Sequence, residues 1–147
     1  MIRVLSDCDP SLDMPSTSVL ETMVTSILNG KSIDDGEISF IFGTDGLLAD
    51  LKKKYFHKDQ FTDVIAFRLN DYKKPNVEGE IYISLPRAQD NAGTFNEPYG
   101  KEVSRLIIHG CLHLLGFNDE SKKEKKEMTK MENRFLSQVS WQSLFKK

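Results

Sequence analysis

The strongest constraint on the fold of this chain is the stretch RLIIHGCLHLLGFND at positions 105–119. At 3.6 residues per turn its apolar side chains cover nearly the whole circumference of a helix, which predicts a buried helix. One narrow polar stripe remains, formed by Glu102, Arg105, His109 and His113. Because buried polar groups need partners, something must satisfy this stripe.

The two histidines of the stripe lie one turn apart, so both imidazoles can bind one metal ion. Gly116 is expected to end the helix, and the chain then returns Asp119 as a third candidate ligand. Two nitrogen ligands and one oxygen ligand suit Zn²⁺, with Ni²⁺, Co²⁺ and Mn²⁺ as alternatives. Three protein ligands leave one position open, which is typical of a catalytic zinc. A metal-free domain with buried histidines is the alternative.

The residue after the first histidine argues against a peptidase. Zinc peptidases carry a glutamate there as general base, and this chain has Gly110. Glycine inside a helix costs about 1 kcal/mol relative to alanine, which indicates close backbone packing or room for a substrate. Cys111 points to the far side of the helix and is expected to be a core residue rather than a ligand.

Composition limits the class of protein further. The 147 residues suit one domain, no apolar run is long enough for a membrane span, and no export signal is visible. Two cysteines do not make a disulfide scaffold, so a reducing cytoplasm is expected. The net charge of −2 gives no general attraction to nucleic acid, so RNA binding would need a local patch, and DNA is not expected as a partner.

Hydrophobic periodicity predicts one α/β (α+β) domain over residues 1–147, with a small mixed four-stranded sheet packed by about four to five helices. The predicted strands are 2–5, 37–42, 64–69 and 80–85. The predicted helices are 16–29, 46–55, 97–115 and 121–139, with a helical turn in 87–96. The tail from residue 141 is expected to be loosely held.

The last predicted helix has a polar face dense in lysine, interleaved with Glu120, Glu124, Glu127 and Glu132. Mixed charges at this spacing are typical of a solvated helix face with i,i+4 pairs. A nucleic-acid contact along this face is the alternative.

Three segments resemble a known family. Residues 107–119, IIHGCLHLLGFND, resemble the His-Gly-x-Leu-His-Leu-x-Gly-Tyr-Asp-His signature of the bacterial rRNA maturation factors and endoribonucleases called YbeY. Residues 58–67, KDQFTDVIAF, and 79–83, GEIYI, resemble its Lys-Asp-x-x-Thr-Asp-Val-Leu-Ser-Phe and Gly-Asp-Ile-x-Ile segments. Order and spacing agree over residues 37–137.

The resemblance implies a cytoplasmic zinc protein that acts on RNA, with 16S rRNA and the small ribosomal subunit as partners in 3′-end maturation and ribosome quality control. The family's first two ligand histidines map onto His109 and His113, and the third maps onto Asp119. This departure is conservative, because carboxylate is a normal zinc ligand. Ala66 and Arg68 replace the family's Ser and Pro.

Many members carry an arginine where this chain has Phe56. If that arginine neutralises the phosphate, Arg105 is our candidate substitute, because it lies one turn before the first histidine on the same face. A salt bridge from Arg105 to Glu102 is an equally good interpretation, and His57 and Lys58 are other candidate cations.

Together with the metal-site residues, the resemblance implies metal-assisted cleavage of single-stranded RNA, with Arg105 offsetting the charge that develops on the phosphate. Glu80 is a candidate general base or a candidate hydrogen-bond partner of a metal ligand, and a surface carboxylate is the alternative. Thr62 and Asp63 are expected to shape the turn into the predicted strand 64–69. A ribosome-assembly factor with a zinc site and little nuclease activity is the rival hypothesis, and a small metal-dependent hydrolase is another.

Overall fold

The computed structural model describes residues 1–58 and 62–145. Its strands are Ile2–Cys8 (β1), Gly36–Gly43 (β2), Val64–Arg68 (β3) and Val77–Ser84 (β4). Its helices are Thr17–Gly30 (α1), Asp45–Phe56 (α2), Leu85–Phe95 (α3), Tyr99–Leu114 (α4) and Lys122–Leu136 (α5), followed by a 3₁₀ turn at Trp141–Ser143. The predicted mixed α/β domain is confirmed. In the described ranges no helix has both the length and the apolar character that a bilayer span requires.

The sheet has the strand order β1-β2-β4-β3. β2 pairs in parallel with both β1 and β4, and β3 pairs antiparallel with β4, so the sheet is mixed as predicted. Parallel strands require crossovers, and α1 and α2 lie in the two connections of this parallel set. Alternate side chains of β2 and β4, such as Phe40 and Ile81, are buried against α1 and α4.

The helix starts follow from their capping residues. Ser16 and Thr44 each accept a hydrogen bond from the backbone N–H three residues on, so they are the N-caps of α1 and α2. Ser121 forms a capping box with Glu124 at the start of α5.

The prediction of only a helical turn within 87–96 was wrong, because Leu85–Phe95 is a full helix of 11 residues. Ser84 ends β4 and also caps this helix through Arg87 N, and Pro86 occupies the first turn, where proline is tolerated. One serine therefore serves two elements, and β4 runs into α3 without a loop.

The helix α4 lies very close to β4 at two glycines. A Cβ atom on Gly110 would stand 2.8 Å from Ile81 Cγ2, and one on Gly79 would stand 2.7 Å from Leu114 Cδ2. The glycine inside the helix is therefore explained by close packing against the sheet.

The two faces of the sheet are covered differently. Arg68 reaches α4, where its Nη1 donates to the Leu114 carbonyl at 2.7 Å. Its neighbour Phe67 points the other way and contacts the rings of Tyr55 and Phe56 on α2. Residues of α2 and α4 are thus separated by the sheet.

The expectation of a loose tail was wrong for the residues up to 145. Leu144 is fully buried, its carbonyl accepts a hydrogen bond from Ser16 N at 2.7 Å, and Phe145 stacks on Tyr99 with ring centroids 4.8 Å apart. The tail therefore closes over the start of α4. Residues 146–147 lie outside the described residues.

We expect Gly110→Ala and Gly93→Ala to have different effects on the free energy of unfolding. Both changes gain about 1 kcal/mol of helix propensity, but a Cβ at Gly93 meets no atom within 4 Å. The difference between the two variants in urea unfolding should be the cost of overpacking at Ile81, about 1–3 kcal/mol. Equal stability would show that α4 is not held tightly on the sheet.

Tyr99 should make stability fall at high pH. Burial, followed by the nearby Asp13 carboxylate, raises the pKa of Tyr99 to about 12. The folded state holds this proton more tightly than the unfolded state, so the contribution is complete below pH 10 and is lost between about pH 10 and 12. Tyr99→Phe should lose less stability than the wild type over that range in thermal melts. Parallel melting curves would contradict the assignment.

Candidate metal centre

His109, His113 and Asp119 converge on one point, as the sequence predicted. The Nε2 atoms of the two imidazoles lie 2.9 Å apart. The Asp119 carboxylate lies 3.3 Å from Nε2 of His109 and 3.5 Å from Nε2 of His113. α4 supplies both histidines, and the turn after it, in which Gly116 has φ +96°, returns the carboxylate.

The three side chains fit a metal ion by type and by spacing. Ligand atoms of a tetrahedral zinc with bonds of about 2.0–2.2 Å lie about 3.3–3.6 Å apart. The two distances from imidazole to carboxylate fall in this range, while the imidazole pair is somewhat closer. Together they form a possible metal-binding triad, and the nitrogen and oxygen donors suit several divalent ions.

Glu132 orients the first histidine from across the cleft. Nδ1 of His109 donates to Oε2 of Glu132 at 2.6 Å, which leaves Nε2 of the same ring directed at the triad. Glu132 belongs to α5 and is only 6% exposed. Carboxylates that hold the second nitrogen of a histidine in this way fix the ring and its tautomer at metal sites.

Arg105 is paired with two carboxylates. Its Nε lies 3.3 Å from Oε1 of Glu102, and its Nη1 lies 3.4 Å from Oε1 of Glu132. The salt-bridge interpretation of Arg105 is therefore the one that the structure shows, extended by Glu132. Arg105 still lines the cleft beside His109.

The electrostatics of the cleft follow from burial and from these pairs. Burial lowers the pKa of His109, but the hydrogen bond and charge of Glu132 outweigh this and raise it. Burial and the adjacent His109 ring lower the pKa of His113. Burial raises the pKa of Glu102, although Arg105 and Asn91 act against the shift. The two imidazoles thus differ in basicity.

His109 and Asp119 of the triad line a cleft of about 580 Å³. Its lining is rich in carboxylates: Asp63, Glu97, Glu102, Asp119 and Glu132. Arg105 and Lys125 contribute the positive charges. A phosphate entering this cleft therefore meets more negative than positive side chains unless a bound cation changes the balance.

Several other candidates lie elsewhere. Glu80 points to the face of the sheet opposite α4, where it accepts a hydrogen bond from Tyr82 at 3.5 Å, so it is neither a base nor a partner of a ligand. Phe56 stacks on Phe67 on that same face. His57, in the left-handed region with φ 55°, and Lys58 follow α2 and are not among the described residues that line the cleft.

The segment that resembles the family at 58–67 is described only in part, because residues 59–61 lie outside the described residues. Thr62 donates to the Val64 carbonyl and shapes the turn, as predicted. Asp63 does more, since it lines the cleft and accepts a hydrogen bond from Asn91 at 3.0 Å. Asn91 also reaches Glu102 at 3.4 Å.

Sequence reasoning assigned Glu132 to the solvated face of the last helix, and this was wrong. A signal was present, because Glu132 lies one turn from both Met128 and Leu136, which are buried. A glutamate in the apolar stripe of a helix predicts a buried partner, as the histidines of α4 did.

The chain is similar to several known proteins. The family model described as endoribonuclease YbeY matches residues 10–140. The endoribonuclease YbeY of Amoebophilus asiaticus is 36% identical over 128 residues, which cover 87% of this chain and 86% of that protein. That of Parabacteroides distasonis is 41% identical over 103 residues, covering 69% and 70%. A solution structure from Thermotoga maritima has a TM-score of 0.66 and 29% identity, covering 97% and 93%.

Glu132→Gln tests the orienting role on α5. Loss of the negative charge should lower the pKa of His109 in metal-free protein, measured by NMR titration of the imidazole. It should also weaken Zn²⁺ affinity about 10- to 100-fold in a chelator competition. Glu127→Gln on the exposed side of the same helix is the control. An unchanged pKa of His109 would show that Glu132 does not hold this ring in solution.

Proposed function

The chain belongs to the YbeY endoribonuclease family, and from this membership and the geometry of the triad we propose that it is a zinc-dependent, single-strand-specific endoribonuclease. The observation that carries the proposal is the convergence of His109, His113 and Asp119 beside a cleft that His109 and Asp119 line. Each offers a ligand atom within 4.8 Å of the others.

In this proposal the three side chains hold one Zn²⁺ per chain. A zinc ion at such a site lowers the pKa of bound water towards ~7 and polarises a phosphoryl oxygen. Glu132 keeps a proton on Nδ1 of His109, so that Nε2 presents its lone pair. The carboxylate of Asp119 faces both rings and completes the donor set.

The remaining residues of the cleft bind and orient RNA. The guanidinium of Arg105 borders the cleft and would offset charge on the phosphate, while Glu102 and Glu132 fix its position. In RNA the 2′-hydroxyl is an alternative attacking group to water, and it needs a base and charge stabilisation. A single strand is flexible enough to bring one phosphate into an open cleft, whereas a duplex is too rigid to do so. This difference supports specificity for single strands.

The proposed substrate is the 3′ end of 16S rRNA on the small ribosomal subunit, in maturation and quality control. This substrate places the activity in the cytoplasm. The support for this substrate is the family membership.

A second candidate is an assembly factor that uses the zinc site with little or no cleavage. The acidic lining of the cleft and the engagement of Arg105 by two carboxylates favour it, because both weaken the attraction for phosphate. In the first candidate the metal ligands are needed for RNA cleavage, whereas in the second they are needed for the protein's role in assembly and not for cleavage.

The test is cleavage of a single-stranded RNA that carries the 16S 3′ end, by metal-loaded wild type and His113→Ala. We expect the variant to lose cleavage by at least about a hundredfold, because one ligand of three is gone. Asp90→Ala, a change on an exposed position of α3, is the purification control. Equal cleavage by wild type and His113→Ala would overturn the mechanism. Cleavage by none of them, with small-subunit binding kept, would favour the assembly factor.

The identity of the third ligand has its own test. Asp119→His restores the residue of the family signature and should keep stoichiometric zinc, measured by mass spectrometry of purified protein. Asp119→Ala should lose most of it, because two imidazoles alone hold zinc weakly. Retention of zinc by Asp119→Ala would remove Asp119 from the ligand set.

A further inference from the structure

A second concave surface lies at the C-terminal end of α4, next to the candidate metal centre. It is a groove of about 220 Å³ bordered by Tyr72, Phe117 and Leu115. Three cations, Lys31, Arg68 and Lys74, complete its polar lining. Among the described residues that line this groove there is no carboxylate. Its charge is therefore the reverse of that of the acidic cleft.

The aromatic rings of the groove are matched with cations. The Nζ of Lys31 lies 4.9 Å above the ring of Phe117, and the guanidinium carbon of Arg68 lies 5.0 Å from the ring of Tyr72. Tyr72 is 60% exposed, so its side chain is accessible to a ligand. Exposed aromatic faces beside cations are the elements that bind single-stranded nucleic acid, by stacking on bases and attracting phosphates.

The position of the groove is fixed by contacts to the helix that carries both histidines. Arg68 donates to the Leu114 carbonyl at 2.7 Å and to the carbonyls of Asp71 and Asn76 at 3.1 Å, which joins the β3–β4 loop to the end of α4. The ring of Tyr72 lies against Gly116, where a Cβ would be 3.6 Å from its Cδ1. The groove is thus built on the turn that leads to Asp119.

The groove and the candidate metal centre share the turn that follows α4. Phe117 borders the groove and Asp119 is a candidate ligand, and two residues of chain span at most about 7 Å. Successive phosphates of an extended single strand are separated by a similar length. A strand with one phosphate at the centre can therefore place its neighbouring nucleotide in the groove.

We infer that this groove binds the nucleotide next to the cleaved position of a single-stranded RNA. Tyr72 stacks on the base, and Lys31 and Lys74 contact the adjoining phosphate. The inference rests on the proposed function and adds a subsite to it. The acidic lining of the cleft adds little attraction for the backbone of the substrate, and the cationic groove supplies the attraction that holds the strand in register.

The test measures binding separately from cleavage. A fluorescent, 2′-O-methylated single strand with the 16S 3′ sequence is titrated with metal-loaded protein, binding is followed by anisotropy, and the strand is checked to be intact afterwards. Tyr72→Ala should weaken binding about fivefold or more, and Tyr72→Phe should bind like wild type because it keeps the ring. Lys74→Ala should make the plot of log affinity against log salt shallower by about 0.7.

Tyr55→Ala is the matched control. Tyr55 is also an exposed tyrosine with a cation over its ring, Lys54 at 5.3 Å, but it packs on Phe67 across the sheet from the groove. The Tyr55→Ala variant should bind RNA like wild type. Thermal melts should show that all of these variants are folded.

The outcomes separate the subsite from the proposed function. If Tyr72→Ala binds as tightly as a wild type that binds and cleaves RNA, the subsite is wrong and the proposed function stands. If Tyr55→Ala loses as much affinity as Tyr72→Ala, RNA contacts are not specific to the groove, and the subsite is again overturned. If the wild type neither binds nor cleaves RNA, the proposed function fails and the subsite fails with it.

Discussion

The close contact between α4 and β4 is the constraint on which the rest of this structure depends. Gly110 and Gly79 remove the side chains that would hold the helix and the sheet apart, and Ile81 and Leu114 fill the space instead. A close-packed contact of this kind leaves the helix little freedom to shift or rotate. The polar stripe of α4 is therefore presented to the cleft in one orientation, and both imidazoles project from it.

The buried carboxylates around that stripe are not explained by stability. Glu102 and Glu132 are 5% and 6% exposed, and both pair with one arginine that is itself partly buried. Burying such charges costs free energy that ion pairing seldom recovers in full, and apolar residues of similar size would often stabilise the same positions. The raised pKa of Glu102 expresses this cost. Their presence beside the triad is accounted for by what they hold in place, namely the guanidinium of Arg105 and the ring of His109.

The sequence predicted the parts of the site that lie on one element. The spacing of His109 and His113, the helix end at Gly116 and the return of Asp119 are all local, and the structure brings these three side chains together. The cleft residues that come from other helices could not be predicted from local spacing. Glu132 and Asn91 reach the cleft because α5 and α3 pack on α4, and no local pattern encodes that docking. The helix α3 was missed because its cap, Ser84, belongs to the preceding strand.

The departures from the family signature are connected through charge. Asp119 in place of an imidazole would make a metal centre held by the triad less positive by one charge, which would weaken both its attraction for phosphate and its effect on bound water. Phe56 in place of an arginine removes a cation, and the structure turns this ring to the far face of the sheet. Arg68, in place of a proline, adds a cation on the near face and fastens it to the end of α4. Relative to the family signature, a positive charge is thus missing at Phe56, the last residue of α2, and one is added at Arg68 in the groove. In the proposed subsite a bound strand would therefore be attracted next to the proposed metal ligands rather than at them.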